Sequence, residues 1–265
     1  MTFKQDDDEA IEAFSKKNLS ILFEDFKHEG NNLHLARIGN SSKPVLLFIH
    51  GSPGCWNAAW DYFMDSSLHK SFELISIDRP GFGKSDYGIA RNLFAQANIV
   101  SSFVSEKLKG REIHLIGHSY GGPLAMQMCK LNDTLYSRCI LLAGSISPDA
   151  EKEEWQLNLF SKKALRWMAP GSFEQGILEL LWLKEDLKRY KKNISSIGTP
   201  IVAVYGTEDN MVPHDENLDF LRSHFDSVQL NIHSLDGANH FLPWKRYNEV
   251  REIIKSPFEK IRKGF

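Results

Sequence analysis

The sequence is poor in cysteine and lacks a hydrophobic run long enough to cross a membrane. Its 265 residues include three cysteines, and these lie far apart without a CxxC motif or a metal-ligand spacing: Cys55, Cys129 and Cys139. This number and spacing argue against a disulfide framework and against a zinc site. The longest purely apolar stretch has about five residues, whereas a membrane-spanning helix needs about 20. We therefore expect no membrane-spanning helix and no bound metal.

The chain also lacks a strong charge of either sign and a secretion signal. Lys and Arg number 32 against 34 Asp and Glu, which leaves a net charge of −2 with neutral histidines. This balance provides no field that would collect nucleic acid or anionic lipid, so neither is an expected partner. Residues 1–9 are largely polar and acidic and contain no apolar core of a signal peptide. We expect a cytoplasmic protein.

Hydrophobic residues make up 42% of the chain, and many of them occur in short runs with helical segments between. The runs of strand length are rich in Val, Ile, Leu and Phe and do not alternate with polar residues: 45–49, 72–77, 113–116, 139–143 and 201–205. Strands buried on both faces have this composition, which is typical of a parallel sheet covered by helices. Segments of helical periodicity lie between the strands, at 92–109, 123–131 and 215–224. The alternation predicts an α/β fold, with a mostly parallel sheet flanked by helices.

Both ends of the chain add elements to this sheet. Residues 19–26 and 33–38 flank a turn at Gly30, which predicts an antiparallel hairpin at the sheet edge. A last strand is expected at 228–233, followed by a C-terminal helix from about Trp244. Along the chain, the hairpin therefore precedes the first parallel strand, and the C-terminal helix follows the last strand.

One segment interrupts the alternation of strands and helices. Residues 149–192 contain no strand signal but two amphipathic helical segments, at 151–168 and 173–190. The large aromatic side chains in this segment need a surface to pack on, and the carboxyl edge of the sheet offers one. We predict a short helical lid inserted between late strands, which divides the core into residues 1–148 and 193–265.

The sharpest chemical signal is a serine between two glycines at the end of a predicted strand. Residues 117–121 read Gly-His-Ser-Tyr-Gly, after the strand at 113–116 and before the helix at 123–131. A sharp strand-to-helix turn requires glycines two positions before and after the serine, because side chains there would collide. The turn would hold the hydroxyl of Ser119 at a helix N-terminus, where backbone amides favour a developing anion. We predict that Ser119 is a catalytic nucleophile.

Residues 44–258 resemble the α/β-hydrolase fold family. The resemblance depends on the serine turn and on two further motifs, which occur in the order found in that family. His-Gly-Ser-Pro-Gly at residues 50–54 is similar to the family's oxyanion loop, and Asp-Arg-Pro-Gly-Phe-Gly-Lys-Ser at 78–85 is similar to a structural signature. The Gly-Lys-Ser ending does not predict a P-loop, since a P-loop needs a glycine at its first position and a helix directly after its last. The resemblance implies that the backbone amides of Ser52 and Tyr120 bind the oxyanion of a tetrahedral intermediate.

The resemblance also implies an acid and a base after the nucleophile, in the order Ser, Asp or Glu, His. Asp209 follows a predicted strand where the family carries its acid, whereas the neighbouring Glu208 is interpreted as a solvated loop charge. His240 lies between the last predicted strand and the last helix and is similar to the family's catalytic histidine. His50 and His118 are expected to hold their turns together. The resemblance therefore implies a triad of Ser119, Asp209 and His240.

A serine hydrolase is implied, and we predict a carboxylesterase that cleaves small hydrophobic esters through an acyl-enzyme on Ser119. Haloalkane dehalogenases and epoxide hydrolases carry an aspartate at this position, so their chemistries are disfavoured. A proline-iminopeptidase-like aminopeptidase, a carbon–carbon bond hydrolase and a thioesterase use the same triad and stay open as alternatives. A non-catalytic receptor on the same fold is disfavoured because no triad member is missing. The reaction needs no cofactor, and the sequence specifies no oligomeric state.

Three residues are expected to line the substrate pocket. Cys55 follows the oxyanion loop directly, and Trp155 and Trp182 are large aromatics of the predicted lid. An apolar wall favours an ester with a hydrophobic acyl or alcohol group of modest size. The acidic start of the lid, which includes Glu153 and Glu154, is interpreted as the first turn of a helix rather than as an amine-binding site.

Overall fold

The computed structural model describes residues 6–150, 170–192 and 194–258, in which eight strands form one sheet. In chain order the strands are β1 (Ile21–His28), β2 (Asn31–Ile38), β3 (Val45–Ile49), β4 (Glu73–Ile77), β5 (Ile113–His118), β6 (Arg138–Leu142), β7 (Ile201–Gly206) and β8 (Leu230–Leu235). Their order across the sheet is β1-β2-β4-β3-β5-β6-β7-β8. β2 pairs antiparallel with β1 and with β4, and the remaining neighbours pair in parallel. The predicted parallel sheet with an antiparallel hairpin at one edge is confirmed.

Helices cover both faces of this sheet. They are α1 (Asp7–Ser15), α2 (Trp60–Met64), α3 (Ser66–His69), α4 (Leu93–Lys107), α5 (Gly121–Leu131), α6 (Pro170–Lys191), α7 (His214–His224), α8 (Leu242–Lys245) and α9 (Tyr247–Lys255). Residues of α4 to α7 join one hydrophobic cluster with the sheet, and residues of α1, α2 and α9 join the other. Every residue of β3, β4, β6 and β7 is buried. Burial on both faces explains why these strands do not alternate with polar residues.

The sequence-based interpretation missed α1. Asp6 caps this helix by accepting hydrogen bonds from the amides of Asp8 and Glu9, and the buried side chains of Ala10 and Phe14 anchor it. Acidic residues in a first turn match the helix dipole, so the acidic stretch marks a helix start.

The described part of the predicted lid is the helix α6. Its bounds, Pro170–Lys191, include the predicted helical segment 173–190. Leu180, Leu183, Leu187 and Tyr190 are buried against the hydrophobic cluster of that face. The other predicted lid helix, 151–168, lies outside the described residues. The three-part division of the chain stays a prediction.

Among the helices of residues 6–150, 170–192 and 194–258, none is both long enough and apolar enough to cross a bilayer.

Candidate active site

Ser119 lies in a strained turn between β5 and α5. Its backbone has a φ of +53°, in the left-handed region that a non-glycine residue rarely adopts. A Cβ on Gly117 would lie 2.2 Å from the carbonyl oxygen of Gly121, and a Cβ on Gly121 would lie 2.2 Å from that of Ile49. Both glycines are therefore required by the close approach of backbone to backbone. The structure has the sharp strand-to-helix turn that the Gly-x-Ser-x-Gly pattern predicts.

Asp209 and His240 come from neighbouring loops at the carboxyl edge of the sheet and form a buried pair. Asp209 Oδ2 accepts a hydrogen bond from His240 Nδ1 at 2.8 Å, and the two residues are 6% and 4% exposed. Asp209 Oδ1 accepts two further bonds, from the amides of Met211 and Val212 at 2.9 and 2.8 Å. The two backbone donors fix the plane of the carboxylate. The imidazole therefore carries its proton on Nδ1 and leaves Nε2 as an acceptor.

His118 joins the serine turn to His240. Its Nε2 donates to the carbonyl oxygen of His240 at 3.1 Å, and the two ring centroids are 4.9 Å apart. The rings of His118 and Trp244 also pack edge to face, with centroids 5.0 Å apart. Burial, with a smaller contribution from a charge on His240, lowers the pKa of His118 to about 3. His118 is therefore neutral. Because it directly precedes Ser119 in the chain, its contact with His240 joins the serine turn to the predicted base.

The predicted oxyanion loop lies against Ser119. A Cβ on Gly51 would be 2.9 Å from the Cβ of Ser119. His50 holds the loop through both ring nitrogens: Nδ1 donates to the Gly51 carbonyl at 2.7 Å, and Nε2 accepts from the amide of Arg79 at 3.0 Å. Burial and the nearby Arg79 charge lower the pKa of His50 well below its ordinary value. The expectation that His50 and His118 hold their turns together agrees with these contacts.

Asp78 stabilises the signature at residues 78–85 through two hydrogen bonds from backbone amides. Its Oδ1 accepts from the amide of Trp56 and its Oδ2 from the amide of Lys84, both at 2.7 Å. Gly83 has a φ of +53°, and a Cβ there would lie 2.1 Å from the carboxylate. Burial raises the pKa of Asp78 to about 6, although the two amides favour its charged form. Asp78 ties the segment after the oxyanion loop to the turn after β4.

Sequence reasoning missed a buried ion pair between Arg79, in the signature at residues 78–85, and Glu179 of α6. Arg79 donates from both terminal nitrogens to the carboxylate of Glu179 on α6, at 2.7 Å each, and the two side chains are 0% and 1% exposed. Gln96 of α4 contacts both partners, since its oxygen accepts from Arg79 at 2.7 Å and its nitrogen donates to Glu179 at 2.8 Å. The partners are 100 positions apart in the chain. The sequence offers no spacing signal that could have paired them.

The three predicted pocket residues are not all brought to the Ser119 turn. Cys55 is buried directly after the oxyanion loop, and its thiol donates to the side chain of Asn57 at 3.0 Å. Trp182 is 39% exposed and lines a groove of about 520 Å³ between α6 and residues 90–95, together with Leu181 and Arg189. Its lining residues do not include Ser119, Asp209 or His240, the predicted triad. Trp155 lies outside the described residues.

The described residues hold no group of His, Cys, Asp and Glu side chains arranged for a metal ion. The other two cysteines, Cys129 and Cys139, are fully buried and face each other, and their proximity together with burial raises the pKa of the Cys139 thiol. Neither is among the predicted site residues Ser119, Asp209 and His240.

The chain is similar to a known protein family, to several hydrolases and to solved structures. Residues 44–167 match the model of a family described as the alpha/beta hydrolase fold. A 2-hydroxy-6-oxononadienedioate/2-hydroxy-6-oxononatrienedioate hydrolase of Pseudomonas sp. is 21% identical over 263 residues, covering 84% of this chain and 90% of the relative. Epoxide hydrolase 2 of Siraitia grosvenorii is 30% identical over 102 residues, 38% of this chain and 31% of the relative. A solved membrane phospholipase A, described as a bacterial virulence factor, has a TM-score of 0.72 at 16% identity, covering 94% of this chain and 88% of its own. These likenesses show the fold.

Proposed function

We propose that this chain, which belongs to the α/β-hydrolase fold family, is a serine hydrolase that cleaves carboxylic esters through an acyl-enzyme on Ser119. The observation that carries the proposal is the buried hydrogen bond of 2.8 Å between His240 Nδ1 and Asp209 Oδ2. It leaves Nε2 of the same ring free of a proton, as a general base requires. His118 links this ring to the strained turn that presents the serine hydroxyl.

The chemistry follows from these contacts. His240 Nε2 takes the proton of the Ser119 hydroxyl while the oxygen attacks the acyl carbonyl, and Asp209 stabilises the imidazolium that forms. Collapse of the tetrahedral intermediate breaks the bond to the leaving alcohol, which receives the proton from His240. The same nitrogen then activates a water molecule, whose attack releases the acid and restores the serine.

The oxyanion of each tetrahedral intermediate needs donors, and two backbone amides are suited to this role. Tyr120 follows the nucleophile at the N-terminus of α5, and Ser52 belongs to the loop whose Gly51 packs on Ser119. A helix N-terminus adds a favourable dipole at this point. Loss of one such donor costs roughly 10²- to 10³-fold in rate in serine hydrolases.

Ester cleavage is favoured over the aminopeptidase alternative by the described part of the lid. An aminopeptidase needs a carboxylate free to bind the substrate's amino group. The two buried carboxylates of α6 are both engaged: Glu179 pairs with Arg79, and Asp186 accepts from the amide of Leu93 at 3.0 Å. Neither is free to bind an amine.

A second candidate is hydrolysis of a carbon–carbon bond next to a ketone. It is favoured by the relative of Pseudomonas sp. named as a 2-hydroxy-6-oxononadienedioate/2-hydroxy-6-oxononatrienedioate hydrolase, which matches 84% of this chain. The same serine, acid and base can serve that reaction, so the substrate decides between the two candidates.

Covalent labelling tests the nucleophile. Trypsin cuts after Arg111 and Lys130, and the peptide 112–130 contains Ser119 as its single serine. A fluorophosphonate probe should add its mass to this peptide, and Ser119→Ala should abolish both the adduct and ester turnover. Ser145→Ala is the matched control, because Ser145 is buried nearby with its amide 3.2 Å from the Ser119 carbonyl oxygen. Labelling that persists in Ser119→Ala would refute the proposal.

A substrate panel tests the class of bond. p-Nitrophenyl esters of rising acyl length, aminoacyl anilides, acyl-thioesters and a 2-hydroxy-6-oxo dienoate should be compared by kcat/KM. The proposal expects the highest value for a neutral ester of modest length. A dienoate preferred by tenfold or more would select the second candidate.

A further inference from the structure

Arg79 donates to the peptide group that contains a proposed oxyanion donor. Its Nη2 lies 3.0 Å from the carbonyl oxygen of Gly51, which also accepts from His50 Nδ1 at 2.7 Å. This carbonyl shares one planar peptide group with the N–H of Ser52, and the bond is trans. In a trans peptide the C=O and the N–H point in opposite directions. Two donors that hold the carbonyl on one side therefore direct the Ser52 N–H to the other.

Arg79 is held by an ion pair and by two aromatic rings, while its Nε has no hydrogen-bond partner among the described residues. Glu179 accepts from both of its terminal nitrogens, and the guanidinium lies between the rings of Phe82 and Tyr120, 4.5 Å from each ring centroid. Tyr120 is the residue whose amide is the other proposed oxyanion donor. One buried cation thus contacts both halves of the oxyanion hole, and its position is set by a carboxylate of the lid helix α6.

We propose that Arg79 is a positioning residue for the oxyanion hole and that Glu179 is the counter-ion that keeps it in place; the proposal rests on the proposed serine hydrolase function. The cation fixes the direction of the Gly51–Ser52 peptide plane. It also polarises that peptide, because a charged donor on the carbonyl strengthens the hydrogen bond that the N–H can give. The lid then contributes to the chemical step as well as to substrate fit.

The test replaces the ion pair without leaving a buried charge. Arg79→Met combined with Glu179→Leu removes both charges at similar volume, a change that cores often tolerate. Arg79→Lys is the second variant: it keeps the charge beside Glu179, but an ammonium lacks the planar fork that serves the carboxylate and Gly51 together. The matched control is Arg189→Met on the same helix, where an exposed guanidinium lies 4.7 Å from the Phe94 ring.

The readouts are kcat and KM for a p-nitrophenyl ester and the Ki of an aryl trifluoromethyl ketone, which forms a tetrahedral oxyanion on the serine. Misdirecting one oxyanion donor should cost less than the 10²- to 10³-fold of deleting it, so we expect kcat to fall about 10- to 100-fold in the double variant. The ketone Ki should rise by the same factor while KM changes less than about threefold. Arg79→Lys should show a smaller loss with the same parallel, and Arg189→Met no loss.

Each result decides one point. A folded double variant with kcat and ketone Ki within about threefold of wild type overturns the role of Arg79. So does a loss that appears in KM alone. If the double variant does not fold, unchanged kcat and Ki in Arg79→Lys overturn it. A wild-type protein that the ketone does not inhibit and that hydrolyses no acyl substrate refutes the proposed function and this inference together.

Discussion

Changing Asp209 to Asn should disable the base without disturbing the fold, because the surroundings dictate which way the new amide faces. Asp209 Oδ1 accepts from the amides of Met211 and Val212, so the oxygen of Asn is held there. The new NH₂ group then faces His240 Nδ1, at the 2.8 Å position of Oδ2. It can donate only to an unprotonated Nδ1, so the ring must carry its proton on Nε2. That nitrogen can no longer accept the serine proton.

The size of the effect follows from the cost of turning the amide round. A flip would turn the NH₂ group toward the two backbone amides and leave both donors unsatisfied, about 1–3 kcal/mol each. The productive tautomer is therefore disfavoured by several kcal/mol, and the negative charge that stabilises the imidazolium is also lost. We expect kcat for a p-nitrophenyl ester to fall on the order of 10⁴-fold, as for the equivalent change in serine proteases.

The assay needs a folded variant and a neighbouring control. Asn has the volume of Asp, so the thermal midpoint should confirm the fold before kcat is measured. Glu208→Gln is the control, because Glu208 is exposed and should lose less than about twofold in kcat. A loss below about tenfold in Asp209→Asn, or an equal loss in Glu208→Gln, would refute the reasoning.

Two further predictions concern stability. Gly121→Ala should lower the free energy of unfolding by about 3 kcal/mol in urea denaturation, because its Cβ would lie 2.2 Å from a carbonyl oxygen of the backbone that cannot move aside. Gly110→Ala, which meets nothing within 4 Å but has a φ of +77°, should cost only about 1–2 kcal/mol. Burial, with a smaller contribution from the Arg138 charge, lowers the pKa of His114 to about 4 from 6.5. Between pH 6.5 and 4 His114 is therefore protonated in the unfolded chain but neutral in the folded chain. The free energy of unfolding should fall as the pH drops through this range, by about 3 kcal/mol in all for this group.

Each of these has a clear counter-result. Equal losses in Gly121→Ala and Gly110→Ala would show that the close approach to the backbone of Ile49 does not determine the cost. For the pH dependence, His114→Gln should have a shallower loss of stability between pH 6.5 and 4 than wild type, measured by urea denaturation at several pH values. Parallel curves for the two proteins would rule out His114 as a source of the acid sensitivity.

Local chemistry explains what could be predicted from the sequence. The buried strands were predicted within two residues at most ends, because burial on both faces leaves an uninterrupted apolar run. The turn at Ser119 was predicted because its two glycines are a local steric requirement. Asp209 and His240 were chosen by their place after strands in the family order, and the structure brings these two into contact.

The buried ion pair between Arg79 and Glu179 could not be predicted from local sequence. Glu179 lies on the buried face of an amphipathic helix, where a sequence pattern predicts apolar residues. Its burial depends on Arg79, which lies 100 positions earlier, and on Gln96 between them. Such pairing is decided by tertiary packing, so local periodicity contains no sign of it. The groove at Trp182 was missed for the same reason, since which side of a helix meets the core depends on its neighbours.

The pairing of Arg79 with Glu179 also limits how the segment that contains α6 could be exchanged between proteins. A replacement segment from another scaffold without an acid at this point would leave the guanidinium buried and uncompensated. An unpaired buried charge typically costs 3–5 kcal/mol, a large part of the stability of a domain. An exchange of this segment therefore has to keep an acid at the position of Glu179, or replace Arg79 in the same step.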